Sequence, residues 1–549
     1  MTADAVPPAA RWAIALTEIP SVTGTPDEAG FADRLAAMLR ASPAFAGRAG
    51  DVWTLPVPGV PEGRACVCAL LRGSGPRTVV LTGHFDTVHV EDYGDLAPLA
   101  CRPHELKPAL AARLAASATT DAERRALGDL AGPDFLPGRG LLDMKSGLAA
   151  GIAVLEEAAR DPARQGNLLF LAVPDEEVNS AGARAAAPAL AGIASRLGLE
   201  IAAAINLDAL VDDGDGTIGR AVALGTIGKL LPSALVVGRA VHASDAYRGL
   251  GAGAIAGALA ADLEWAPELS ERTEDEVTAG FSLLGMKDGK RGYDVTTPER
   301  VWMFWNLMVQ DRGPEEIMSI LERLAGASVA GLVDRLGARS AAALGAQAAE
   351  QAGAPLPVAV MTYADLRRRA EARVPGAAGI LAEAAADAVS RGLDLPEQCR
   401  VLTERTWDLS GLSGPAVVLG FASMPYLPTR LLGEDGRRLE AAAREAAAEV
   451  AGRRGTSIRT LRYFPGISDM SFLGQADEGA IAAVAGNTPA WGAGIPWPEG
   501  PALGGVPIVN AGPWGRDYHT PLERLHAPYA FEVLPELVGG IARRVLAAD

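Results

Sequence analysis

His84 and Asp86 stand two residues apart at the end of an apolar, β-branched run, Thr78-Val79-Val80-Leu81-Thr82-Gly83. Residues two apart along a strand face the same side, so the spacing predicts an imidazole beside a carboxylate. That pairing suits a metal-bound histidine and the acid that orients it; the plainer reading is a strand end with an incidental histidine and a turn aspartate. Other segments end in the same way. Asp143 lies in Gly138–Gly147, just ahead of an apolar helix, where a capping aspartate is the alternative. The run Asn167–Val173 ends in Pro174-Asp175-Glu176-Glu177. Carboxylates clustered there are costly without a cation, against the bland alternative of an exposed acidic turn. Ile201–Leu207 ends at Asp208, and Val506–Asn510 leads through a Gly-rich loop to His519.

The elements that must position these groups alternate between strand and helix, which predicts an α/β fold with a mainly parallel sheet. In such sheets ligands bind outside the carboxyl ends of the strands, where each of these residues falls. From about Thr217 the pattern changes to strands at Lys229–Gly238 and Val301–Met308 with helices after each. We read three segments: residues 1–216 as the first part of a catalytic domain, 217–410 as an inserted α+β lid domain with an extra helical segment, and 411–549 as the second catalytic part. Pro415–Phe421 is read as the point where the first sheet resumes, and 335–398 as helical but without a place. The stretch after Val88 looks like an insertion with helix near Leu106–Leu130, and His89 and His104 read as loop or surface residues.

At 549 residues, with 49% hydrophobic and 21% charged side chains, the chain is long enough for two globular domains. A formal charge of −17 and the lack of a Lys/Arg-rich run argue against nucleic-acid and anionic-membrane partners. Cys66, Cys68, Cys101 and Cys399 form no CxxC pair, so a disulfide scaffold or a thiolate zinc site is not expected. Neither a signal peptide after Met1 nor an apolar run of membrane-spanning length is seen, which predicts a soluble cytoplasmic protein.

Imidazole and carboxylate ligands without thiolate suit Zn²⁺, with Mn²⁺ or Co²⁺ as substitutes. Two histidines and several carboxylates can hold two metals, with one carboxylate bridging. Such a site generates hydroxide and polarises a carbonyl near neutral pH. A carboxylate beside the metals would act as general base, and Glu176-Glu177 supplies one candidate for each job. The residues themselves therefore point to metal-assisted hydrolysis. A metal-free serine hydrolase would need a Gly-x-Ser-x-Gly elbow after a strand, and none is placed there.

Gly83-His84-Phe85-Asp86-Thr87-Val88, Gly140–Gly147, Pro174–Glu177, Asn206-Leu207-Asp208 and the late His519 together resemble the dinuclear zinc aminoacylase and carboxypeptidase family. The insertion after His84 and Gly512–His519 resemble its arginine-utilisation-protein branch. The resemblance implies two zinc ions per chain, one held by His84, Asp143 and Asp208 and the other by Asp143, Glu177 and His519. It implies that Glu176 deprotonates a zinc-bridging water and then protonates the leaving amine, and that Asp86 orients His84. It further implies that His242 polarises the scissile carbonyl, with a homodimer through the lid domain. Asn306 and Asp469 are candidate substrate contacts. The implied reaction is hydrolysis of an amide or peptide C–N bond in an N-acyl amino acid, amide or dipeptide. A non-catalytic small-molecule-binding or regulatory protein on the same scaffold is the alternative from another class.

Overall fold

The computed structural model describes residues 6–60, 63–272, 277–290, 292–352, 357–474, 477–497 and 505–547. The chain divides into two compact units, one of residues Met1–Thr226, Thr429–Ala476 and Pro498–Asp549, the other of Ile227–Pro428 and Asp477–Trp497.

The first unit is built on an eight-stranded sheet whose middle is parallel. Ser74–His84 runs parallel to Gln165–Val173 on one side and to Glu200–Asn206 on the other, and Glu200–Asn206 runs parallel to Ile508–Asn510. Val52–Pro56 and Ala65–Leu71 extend one edge in antiparallel fashion; Ala221–Ala223 and Arg459–Leu461 form the other. Apolar residues on both faces account for the continuous hydrophobic runs. Phe31, Leu35 and Leu39 of one helix share a core with Leu148, Leu155, Leu439, Leu537 and Ile541 of three others. Within this frame Phe85 points away from His84 and Asp86 and stacks on Phe31, ring centroids 4.7 Å apart.

A second, four-stranded sheet in this unit runs in the order Phe135–Pro137, Arg524–His526, Trp514–Arg516 and Leu210–Val211. The Asp143 loop leaves its first strand, and His519 sits in the turn between the next two. The insertion after Val88 forms a short 3-10 stretch, Glu91–Leu99, and two helices, Pro103–Ser117 and Asp121–Ala131, around a small core of Tyr93, Leu106, Leu110, Leu114 and Leu130. His89 and His104 are exposed there, as expected.

The second unit holds a mostly antiparallel sheet. Arg300–Val309 pairs with Ser282–Asp288 and with the broken strand Gly228–Leu230 and Pro232–Val237; Ala416–Phe421 and Ala359–Thr362 follow. Alternate residues serve opposite faces. Ala234, Val236, Val417 and Leu419 pack on the helices Ala252–Leu263 and Pro314–Leu344, while Leu235, Val237 and Val418 pack under Tyr363, Leu366, Leu402 and Trp407. Of the unplaced stretch, the helices Tyr363–Arg373 and Ala377–Ser390 cover the second face of this sheet, Ala359–Thr362 is its edge strand, and residues 335–344 end the helix on the first face; residues 353–356 lie outside those described.

The expected boundary at 410/411 is corrected. Ala416–Phe421 does not resume the first sheet but pairs antiparallel with Pro232–Val237. Residues Asp477–Trp497 also belong to the second unit, where the helix Glu478–Asn487 packs beside Pro314–Leu344. A short strand buried on both faces carries no local mark of which sheet it will join.

Candidate metal centre

Three neighbouring parallel strands deliver their carboxyl ends to one place. His84 closes Ser74–His84, Asp175-Glu176-Glu177 follows Gln165–Val173, and Asp208 follows Glu200–Asn206. Asp143 arrives on the turn Leu141–Lys145, which leads into the helix Ser146–Ala158. Its approach requires glycine at position 140, where φ is +74° and a Cβ would lie 2.4 Å from the Thr87 methyl. His519 arrives on the hairpin of the small sheet.

Asp143 stands between the two imidazoles. His84 Nε2 lies 3.2 Å from its Oδ1 and His519 Nε2 lies 3.0 Å from its Oδ2. On the His84 side Asp208 Oδ1 is at 3.8 Å and Glu176 Oε2 at 3.9 Å. On the other side Glu177 Oε2 is 3.1 Å from His519 Nε2. His84, Asp86, Asp143, Glu176, Asp208 and Asp469 are buried, whereas His519 is half-exposed and opens the cluster to solvent.

The backbone supports are specific. Asp86 accepts the N–H of Glu176 on Oδ1 at 3.1 Å and that of Glu177 on Oδ2 at 3.2 Å, and the Thr23 hydroxyl at 2.8 Å. Its own carbonyl is 3.1 Å from His84 Nδ1, with the carboxylate at 3.5 Å. Asp86 therefore faces His84 as the spacing predicted, but its carboxylate also fixes the acidic turn. Asp175, at φ +69°, carries that turn through a left-handed residue and is held by Arg64 at 2.6 Å, which also meets Glu28 at 2.8 Å. Asn510 grips Asp208 twice, accepting its N–H at 3.0 Å and donating to its carbonyl at 2.9 Å. The reading from sequence missed Asn510, although it closes a parallel strand just as His84 does.

The charges are mutually dependent. Burial pushes the Glu176 carboxyl well above its ordinary range; His84 opposes this, while Asp469, Asp208 and Glu177 add to it. Burial raises Glu177 and Asp208 as well. Burial acts to lower His84 and His519, but the carboxylates outweigh it: Asp143, Asp208 and Asp86 hold His84 well above its usual value, and Asp143 and Glu177 raise His519 to about 10. Asp143 is held low by the two imidazoles despite its burial. Asp469 is pushed up to about 7 by burial, against the pull of His84 and Ser180. Tyr518, beside His519, is pushed up to about 12 by burial and by Asp143, Asp208, Glu177 and Glu176.

This donor set fits divalent cations. The ligand atoms of His84, Asp143 and Glu177 all lie within 4.8 Å of one another. The set is imidazole and carboxylate without thiolate, as zinc, manganese or cobalt accept. Two candidates lie in the second unit. His242 is exposed, capping the turn Ala243–Arg248 with Nδ1 accepting the Ser244 N–H at 3.2 Å. Asn306 is half-buried on Arg300–Val309 of that unit, opposite Ser282. Among the described residues no helix is long and apolar enough to cross a membrane.

The family model for peptidase family M20/M25/M40 matches residues 80–492. The chain is 31% identical over 536 residues to the uncharacterised protein YqjN of Bacillus subtilis, covering 95% of this chain and 93% of that one. It is 29% identical over 544 residues to protein RocB of the same organism, covering 95% and 92%. Among solved structures, an M20 family metallo-carboxypeptidase from Sulfolobus solfataricus matches with a TM-score of 0.52 at 13% identity, over 98% of this chain and 99% of that one.

Proposed function

The chain belongs to peptidase family M20/M25/M40, and from that premise we propose that it is a metal-dependent hydrolase. The bond cut is an amide or peptide C–N bond in a small carboxylate-bearing substrate: an N-acyl amino acid, an amide or a dipeptide. The observation that carries this reading is the Asp143 carboxylate placed between His84 and His519, with buried Glu176 alongside.

In this reading His84, Asp143 and Asp208 would hold one ion and Asp143, Glu177 and His519 the other, with Asp143 common to both sets. Zn²⁺, or Mn²⁺ or Co²⁺ as substitutes, would supply Lewis acidity there, lowering the pKa of a water and polarising the scissile carbonyl. Glu176 is the general base and then the general acid. Its place, with Oε2 3.9 Å from His84 Nε2, would let it accept the proton of the attacking water and deliver it to the departing amine. Asp86 fixes the His84 ring and the Glu176 backbone, so the imidazole and the base keep one spacing. His242 supplies the donor to the carbonyl oxygen, and Asn306 and Asp469 contact the rest of the substrate. A homodimer through the second unit belongs to the same reading, as does a place in arginine utilisation.

The test is a panel of N-acyl amino acids, amides and dipeptides, assayed with metal-stripped protein and after adding Zn²⁺, Mn²⁺ or Co²⁺. Metal-dependent turnover on one class, with close to two equivalents of metal per chain, is the expected result. Full activity in rigorously metal-free protein overturns it.

A further inference from the structure

The helical insertion after Val88 meets the hairpin that carries His519 through Arg125, whose Nη2 lies 3.6 Å from Asp517 Oδ1, and through Asp129. Asp129, on the helix Asp121–Ala131, accepts from Arg516 Nη1 on both oxygens, at 2.8 and 2.7 Å, and from Arg524 Nε at 2.7 Å. Arg516 and Arg524 are direct cross-strand partners at the base of the hairpin whose turn carries His519. Like charges facing each other across a ladder repel, and both guanidiniums are buried, Arg524 completely. One carboxylate shared between them holds the pair together.

The turn that this clamp closes needs holding. Asp517 and His519 both adopt left-handed backbone, at φ +53° and +60°, a conformation that a non-glycine residue keeps only when its surroundings enforce it. Arg524 enforces it directly, donating to Asp517 Oδ2 at 2.6 Å and to the Leu522 carbonyl at 2.9 Å. The chain of contact therefore runs from Asp129 to Arg524, to Asp517, to the turn that aims His519. Arg516 is fixed in parallel by the carbonyls of Gly214 and Asp212.

We propose that Asp129 is a positioning residue for His519, so that the helical insertion sets the geometry of the Asp143–Glu177–His519 side of the centre while touching none of its ligands. This rests on the metal-hydrolase reading above. The insertion keeps its own core and its other ties, among them Arg139 to Asp92 at 2.8 Å, when Asp129 alone is changed.

The experiment is a Zn²⁺ titration of the purified full-length chain, stripped of metal, by calorimetry and equilibrium dialysis, with thermal melts of the stripped proteins. Wild type should bind two equivalents. Asp129→Asn should weaken one equivalent by roughly 10- to 100-fold, the effect of losing a side chain that orients a ligand, and leave the other within about 2-fold. Asp129→Glu should restore most of the loss. Arg516→Gln, which leaves Arg524 to neutralise Asp129, should weaken the same equivalent and serves if Asp129→Asn does not fold. Two equivalents bound by both variants as in wild type overturn the inference and leave the metal-hydrolase reading standing. Equal weakening of both equivalents in step with a lowered melting temperature also overturns it, because that marks a structural role only. No metal uptake by wild type overturns the metal-hydrolase reading itself.

Discussion

The carboxylate of Asp86 is joined to the backbone of Glu176, accepting its N–H at 3.1 Å while standing 3.5 Å from the ring of His84. The proposed ligand His84 and the proposed base Glu176 are thereby referred to one side chain. Asp86→Ala should cost roughly 10- to 100-fold in metal affinity through the loosened imidazole. Turnover at saturating metal should also fall, because the acidic turn loses its anchor. Calorimetry and steady-state kinetics with metal in excess separate the two effects; an unchanged kcat at saturation argues against the second.

Glu176→Gln keeps the shape of the side chain and removes its basicity. Turnover should fall roughly 10²- to 10⁴-fold, the range for a lost general base, with KM little altered. Elemental analysis should find the same metal content as in wild type. Retained activity assigns the base elsewhere.

Metal should stabilise the fold. A ligand that binds only the folded chain adds about 2.7 kcal/mol at one hundred times its Kd. Melting temperatures recorded against free Zn²⁺ should therefore rise steadily, and chelation should reverse the rise. Flat melting temperatures despite measured binding count against a preformed site.

The acid beneath the turn sets a pH dependence. Burial, with Asp86 adding to it, pushes the Glu28 carboxyl up to about 8, although the Gly24 N–H and Arg64 pull it back. An unfolded glutamate titrates near about 4.3. Between these values the folded chain holds the proton and the unfolded chain does not. The contribution is thus complete below about pH 4.3 and is lost as pH rises through 8. Glu28→Gln should flatten this part of the stability profile, seen as a smaller difference in melting temperature between pH 5 and pH 8 than in wild type.

Phe85 should matter for stability rather than for chemistry. It is fully buried against Phe31 on the far side of the strand from His84. Phe85→Ala should cost about 3–5 kcal/mol in denaturant unfolding, as aromatic truncations in cores do.

The strand-end rule made the centre legible from sequence, because parallel strands must expose their carboxyl ends together and each bears its polar residue within a few positions. His84, Glu176, Glu177 and Asp208 stand at such ends, whereas Asp143 comes from a helix-leading loop and His519 from the hairpin of the small sheet. What stayed hidden depends on partners distant in sequence. Asn510 resembles any strand-end asparagine until Asp208 is placed beside it, and Asp129 resembles a helix-surface acid until Arg516 and Arg524 arrive. The same limit misplaced Ala416–Phe421, whose buried apolar residues fit either sheet equally well.

The small four-stranded sheet has a consequence for how the molecule comes into being. It seats Asp143 against His519 across 376 positions of chain, so one half of the centre has no form until Trp514–His526 has been synthesised and paired. Contacts of such long reach are among the last to pay back the entropy of loop closure. Ser74–His84, Gln165–Val173 and Glu200–Asn206 precede that hairpin by three hundred positions or more, so the His519 side of the proposed centre is the last to be assembled.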